Sequence, residues 1–225
     1  MKDDGVTVTI RGQGGRRLQG LPVPRAETAV PGILAECPID TIRGPVEAGA
    51  LAAGDLVFTR DAGYRPVRWV GCCGALAEIA ALAMPAEGGT LVLAPGQLLL
   101  IAGPAVAAAC GEPEALAAAG DLAAEAGGPA GSRSVAVAGQ AMVLFLLDTH
   151  EIVRAGGTWC ASGRPDAALM RALDEGARAG LLAAFPELRL PGGDAAFRAA
   201  RPVLDAAAAR AALGLRPAAQ RRRAA

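Results

Sequence analysis

At 225 residues the chain has room for one generous domain, or one domain with appended segments, and its 22 basic and 22 acidic residues cancel. That balance provides no overall field to attract nucleic acid or an anionic membrane. The 52% hydrophobic content is swollen by alanine, with aromatics at only 3%, so true core formers are fewer than the figure suggests.

The start, Met1-Lys2-Asp3-Asp4, leads into polar, Gly-rich sequence with no apolar segment of the signal-peptide kind, which predicts a cytoplasmic location by default. Gly5 to Gly12 alternates Val6, Val8 and Ile10 with polar residues and predicts an edge strand; the Gly-, Pro- and Arg-rich stretch to Pro31 predicts a linker. Residues 32–163 predict a mainly β domain. Its clearest part is Thr41 to Gly71, where Arg43-Gly44-Pro45 makes one corner, Gly54-Asp55 precedes the strand Leu56 to Thr59, and Asp61-Ala62-Gly63 makes the next turn. Val67, Trp69 and Gly71 then alternate with Arg68 and Val70. Leu91 to Leu93, Leu98 to Ile101, Ser134 to Val137 and Met142 to Leu147 are further strand candidates. The uncharged stretch Gly88 to Gly111 raises a membrane span, but its Pro and Gly interruptions favour buried strands.

Glu112 to Gly131 is alanine-rich and reads as helix on propensity alone. From Arg164 the character changes. Asp166 is placed to cap a helix carrying Leu169, Leu173, Leu181 and Leu182 and ending at Pro186. A second helix is expected from Asp194, and another after Pro202 running to Leu213, so that residues 164–215 form a helical extension. Residues 216–225, with Arg221-Arg222-Arg223, read as a solubilising, disordered tail. Cys37, Cys72, Cys73, Cys110 and Cys160 are odd in number, lack C-x-x-C spacing and have one histidine beside them; this predicts reduced thiols and neither a metal site nor a disulfide framework. No cofactor motif is present.

The turns and strands of Thr41 to Gly71 resemble the opening of bacterial Hint domains, the autoprocessing module shared by hedgehog proteins and inteins. In that family a T-x-x-G turn leads to V-x-x-L-x-x-G-D-x-V and then to "pRpVrWiG". The resemblance implies a mainly β, horseshoe-like Hint fold, here followed by C-terminal α-helices, with short strands and turns in the alanine-rich middle as well. It also implies a chemistry. A Cys or Ser attacks its own preceding carbonyl, a histidine protonates the departing amide nitrogen, and donors hold the oxyanion.

Carried onto this chain residue by residue, that chemistry is depleted. The nucleophile position falls on Gly32, and Cys37 stands where the family has threonine. The "(S/T)-P-x-H" motif corresponds to Ala94-Pro95-Gly96-Gln97, so Gln97 replaces the histidine; glutamine donates hydrogen bonds but cycles no proton near neutral pH. Leu144 stands where many relatives read the histidine of "Y-V-H-L". Leu147-Asp148-Thr149-His150-Glu151 resembles the "fDrHEvi" segment, and on a strand Asp148 and His150 would face one side as an acid–base pair. The chain contains no asparagine, so the cyclisation that completes splicing has no substrate.

The catalytic candidates are therefore Cys37, Asp148 and His150. The expected function is a degenerate Hint domain without splicing activity, acting as a scaffold or interaction module for an unidentified protein partner, with no nucleic acid or membrane involved. The alternative is a self-cleaving domain in which Cys37, aided by His150, attacks the Glu36 carbonyl and releases residues 1–36.

Overall fold

Strand-and-turn alternation dominates the computed structural model, which describes residues 31–73, 79–87, 89–122, 132–137 and 140–215. The expected edge strand at Gly5 to Gly12, the linker and the tail lie outside the described residues. The strands are β1 (Ile33–Leu34), β2 (Pro38–Thr41), β3 (Gly44–Glu47), β4 (Leu56–Thr59), β5 (Gly63–Pro66), β6 (Trp69–Cys73) and β7 (Ile79–Ala86). After them come β8 (Gly89–Leu93), β9 (Leu98–Ala102), helix α1 (Pro104–Cys110), β10 (Glu114–Ala118), the short helix α2 (Ala119–Leu122) and β11 (Arg133–Val137). Next are β12 (Met142–Leu146), β13 (Ile152–Ala155) and β14 (Thr158–Ala161), then α3 (Ala167–Ala172), α4 (Glu175–Ala184) and α5 (Ala206–Ala212).

The two hairpins of the Thr41 to Gly71 segment are closed by one repeated device. Thr41 Oγ1 donates to the Gly44 carbonyl (2.6 Å) and accepts from Arg43 N–H (3.2 Å), while Thr59 Oγ1 donates to the Gly63 carbonyl (2.7 Å) and accepts from Ala62 N–H (3.2 Å). A threonine hydroxyl thus ties each turn to its own backbone, which is why the T-x-x-G spacing is a turn signal. Asp55 adds a third tie, accepting from Ala52 N–H (2.9 Å) and pairing with Arg43 (2.6 Å). In β6, Gly71 exists to make room: a Cβ there would lie 2.2 Å from the Trp69 ring.

Two antiparallel sheets result. One runs β11-β7-β8-β1-β12-β6; the other runs β10-β9-β14-β13-β2-β4-β5, with β3 paired to β2. The protein is mainly β with C-terminal helices, and the main core includes Ile33, Ile39, Val57, Leu91, Leu93, Met142 and Val153. β12 is buried throughout and shares its side chains between two clusters. Met142, Val143 and Phe145 join the main core, while Leu144 and Leu146 join Trp69 in a second cluster roofed by Leu169, Leu173, Leu181, Phe185 and Phe197.

The single long helix expected after Asp166 is two helices. Asp166 caps α3, accepting from Ala168 and Leu169 N–H, and eight residues later Asp174 caps α4 through Ala177 N–H (2.7 Å). Leu173 between them is extended (φ −75°, ψ 138°), since a second cap cannot form inside a continuous helix. The helix expected from Asp194 is only a 3₁₀ turn (Ala195–Phe197), and the last helix starts at Asp205, its N-cap, three residues later than Pro202 suggested. In the alanine-rich stretch, β10 comes before the brief α2, and residues 123–131 lie outside the described residues. Among the described residues no helix is long and apolar enough to cross a membrane.

Between Ala200 and α5 the chain lies across the β framework as a strap. Leu116 N–H donates to the Pro202 carbonyl and Leu204 N–H to the Leu116 carbonyl, both at 2.8 Å, a parallel bridge to the outer strand β10. Arg201 anchors it, reaching Asp61 (2.8 Å) and Glu114 (2.9 Å); Arg60 pairs with the same Glu114.

Candidate functional site

The amide of Gly32 sits where the strand β1 begins, in a backbone conformation (φ +153°) that suits only glycine. An added Cβ would lie 2.9 Å from that of Met142. Its carbonyl accepts from Ala94 N–H (2.9 Å), and its N–H donates to Gln97 Oε1 (3.0 Å). Gln97 Nε2 in turn donates to the Ala161 carbonyl (2.7 Å). With a backbone donor on one side and a backbone acceptor on the other, only one orientation of the amide satisfies both. The Pro95-Gly96 turn that delivers Gln97 is fixed by Gln97 N–H to Ala94 (2.9 Å) and by Gly120 N–H to the Pro95 carbonyl (2.8 Å). Gln97 is buried and bridges β1 to β14 as an amide bracket.

Beside this bracket opens a cleft of about 720 Å³, lined by Pro31, Gln97, Asp121, His150, Ser162 and Arg164, among others. His150 lies in the loop between β12 and β13, 4% exposed, and its Nδ1 accepts from Ala200 N–H (3.0 Å). An imidazole that accepts at Nδ1 carries its proton on Nε2. Burial pushes its pKa down to about 4, with the Arg164 charge adding to the effect and Asp166 opposing it, so the ring is neutral at pH 7. Asp121, at the turn of α2, is almost as buried; sequence reasoning missed it, because one aspartate in an alanine-rich run carries no signal.

The other candidates are elsewhere. Asp148 does not share a face with His150, because the segment is a bend and not a strand. Its carboxylate is exposed and pairs with Arg68. Leu144 is buried in the second cluster beneath α3 and α4. Cys37 belongs to the main core and not to the cleft lining. Its Sγ accepts from Val92 N–H (3.2 Å), and burial raises its pKa to about 11, so the thiol is protonated at neutral pH. Iodoacetamide at pH 8 is expected to label the exposed Cys72 and to leave Cys37 unmodified until the protein unfolds; equal labelling rates by peptide mass mapping would refute this placement. Among the described residues, no group of His, Cys, Asp and Glu converges to hold a metal ion.

The sites named from the sequence thus separate into two sets. Gly32, Gln97 and His150 gather at the cleft or its edge, and Cys37, Asp148 and Leu144 do not. A family model described as Hint domain matches residues 31–167, well over half of the chain. The chain belongs to the Hint domain family. Two solved structures are similar to this Hint domain. One is the MchDnaB-1 intein, with a TM-score of 0.41 and 13% identity over 58% of this chain and 99% of that one. The other, a second structure of the same intein, has a TM-score of 0.40 and 14% identity over 58% and 98%. No curated protein sequence matches the chain. The family match begins at Pro31, beside the Gly32 amide, and ends within α3, so α4, the strap and α5 lie beyond it.

Proposed function

We propose that this Hint domain has lost autoprocessing and serves as a folded scaffold or interaction module for a protein partner. The observation that carries the reading is the hydrogen bond from Gly32 N–H to Gln97 Oε1 at 3.0 Å. In the chemistry the family resemblance implies, the group at position 97 delivers a proton to the amide nitrogen at position 32. Gln97 stands at that nitrogen but offers it an acceptor, and the amide has no proton to release near neutral pH. Loss of a positioned acid typically lowers such a step by about 10²–10⁴-fold. Gly32 also lacks a side chain to attack the Pro31 carbonyl, and no asparagine exists in the chain for cyclisation. What is retained supports the scaffold role: the turn ties and the two larger hydrophobic clusters form without the reactive residues.

Intact mass of the purified chain, with and without hydroxylamine or excess thiol, tests this reading. A single 22.4 kDa species in every condition is expected. A cut between Glu36 and Cys37 that disappears in Cys37→Ala, or a cut at Gly32, would overturn it.

A further inference from the structure

The cleft holds polar groups that neither the fold nor the depleted chemistry employs. Asp121 is 9% exposed, and although Arg210 Nε holds its backbone carbonyl (2.8 Å), no donor among the described residues reaches its carboxylate. Burial raises its pKa, with Asp205 adding to the effect and Arg210 opposing it. A carboxylate at the wall of a cleft, largely desolvated by its surroundings, gains from a ligand that brings a cationic donor. His150 complements it: with Nδ1 taken by Ala200, Nε2–H is the donor left for the cleft.

The neighbouring charges are committed. Asp166 caps α3 and pairs with Arg164 (3.1 Å), and Asp205 caps α5 through Ala208 N–H (2.8 Å). Three carboxylates, Asp121, Asp166 and Asp205, stand against the guanidinium of Arg164 in the lining and that of Arg210 behind Asp121, an excess of negative charge that disfavours an anionic ligand. Leu98, Val203 and Leu204 supply apolar wall.

We infer that the cleft binds a small organic cation: a primary ammonium received by Asp121, a neutral acceptor such as a carbonyl facing His150 Nε2–H, and an apolar body against Leu98, Val203 and Leu204. The volume of about 720 Å³ lies within the range of small-molecule clefts. Val203 to Ala207, which close the cleft, lie beyond the family match, so this pocket is shaped by the chain's own C-terminal strap. The inference stands whether or not the chain cleaves itself. A free amine and the N-terminus of a peptide present the same ammonium chemistry.

Calorimetric titration of the full chain at pH 7 with L-leucinamide, N-acetyl-L-leucinamide and the tripeptide amide Leu-Gly-Gly-NH₂ tests it. Saturable binding of leucinamide is expected, with the acetylated probe weaker by about tenfold or more, because it lacks the charge that Asp121 receives. Asp121→Asn should weaken leucinamide by a similar factor with the circular dichroism spectrum unchanged; should that variant not fold, the pair of probes on the unmodified chain decides alone. Comparable binding of the tripeptide amide assigns the site to a peptide N-terminus, and its exclusion assigns the site to a free amine. No saturable binding by leucinamide or the tripeptide amide, or equal binding of the acetylated probe, would overturn the inference.

Discussion

Lowering the pH from 7 to 5 is expected to remove about 2 kcal/mol of folding stability through His150 alone, rising to about 3 kcal/mol once its folded pKa of about 4 is passed. The sign follows from proton binding. The folded pKa lies below the ordinary value of 6.5, so between the two the unfolded chain binds the proton and the folded chain does not. The contribution is therefore fully present above the unfolded value and is lost as the pH falls toward 4. His150 is the only histidine in the chain, so no other imidazole contributes in this window. The raised pKa of Asp121 has the opposite sign, since the folded chain then takes up its proton first as the pH falls. A comparison with His150→Asn isolates the imidazole, because asparagine keeps an acceptor near the Nδ1 position for Ala200 N–H and does not titrate. Urea unfolding at both pH values should show the drop in the unmodified chain and its absence in the variant; parallel losses in both would show that His150 is not held neutral by the fold.

The second large effect concerns the amide bracket. Gln97→Leu preserves approximate volume but removes the two hydrogen bonds that form the bracket, leaving Gly32 N–H and the Ala161 carbonyl buried with no side-chain partner at that position. Each such orphan costs about 1–3 kcal/mol, so the variant should unfold about 2–6 kcal/mol more easily in urea. A loss below about 1 kcal/mol would mean that water or a shifted neighbour replaces the amide at little cost.

Much of the framework was legible because its signals are local. Thr41 with Gly44 and Thr59 with Gly63 close their own turns, and β12 reads as a strand because its alternating faces both meet apolar partners. Asp166 announced a helix start for the same reason, while Asp174 went unnoticed because a cap inside an apolar periodicity looks like a surface residue. The site was legible only in pieces. Gly32 and Gln97 were marked by motif position, and the structure brings them to 3.0 Å across 65 residues of sequence. The spacing of Asp148 and His150 suggests one shared face, but period two holds only along a strand and this segment bends. Asp121 and the strap had no local signal, since their meaning comes from contacts between distant segments.

The strap has one more consequence, for where this molecule ends. The family match and the packing draw its border at different places. The family resemblance stops at residue 167, yet both backbone groups of Leu116 are answered by Pro202 and Leu204, the imidazole of His150 by Ala200, and the Trp69 cluster by Phe185 and Phe197. A fragment trimmed to residues 31–167 would strip an outer strand of its bridging partners, bare an indole to water and leave a buried ring with nothing to accept from. The segment that the family match spans is smaller than the unit that the packing holds together.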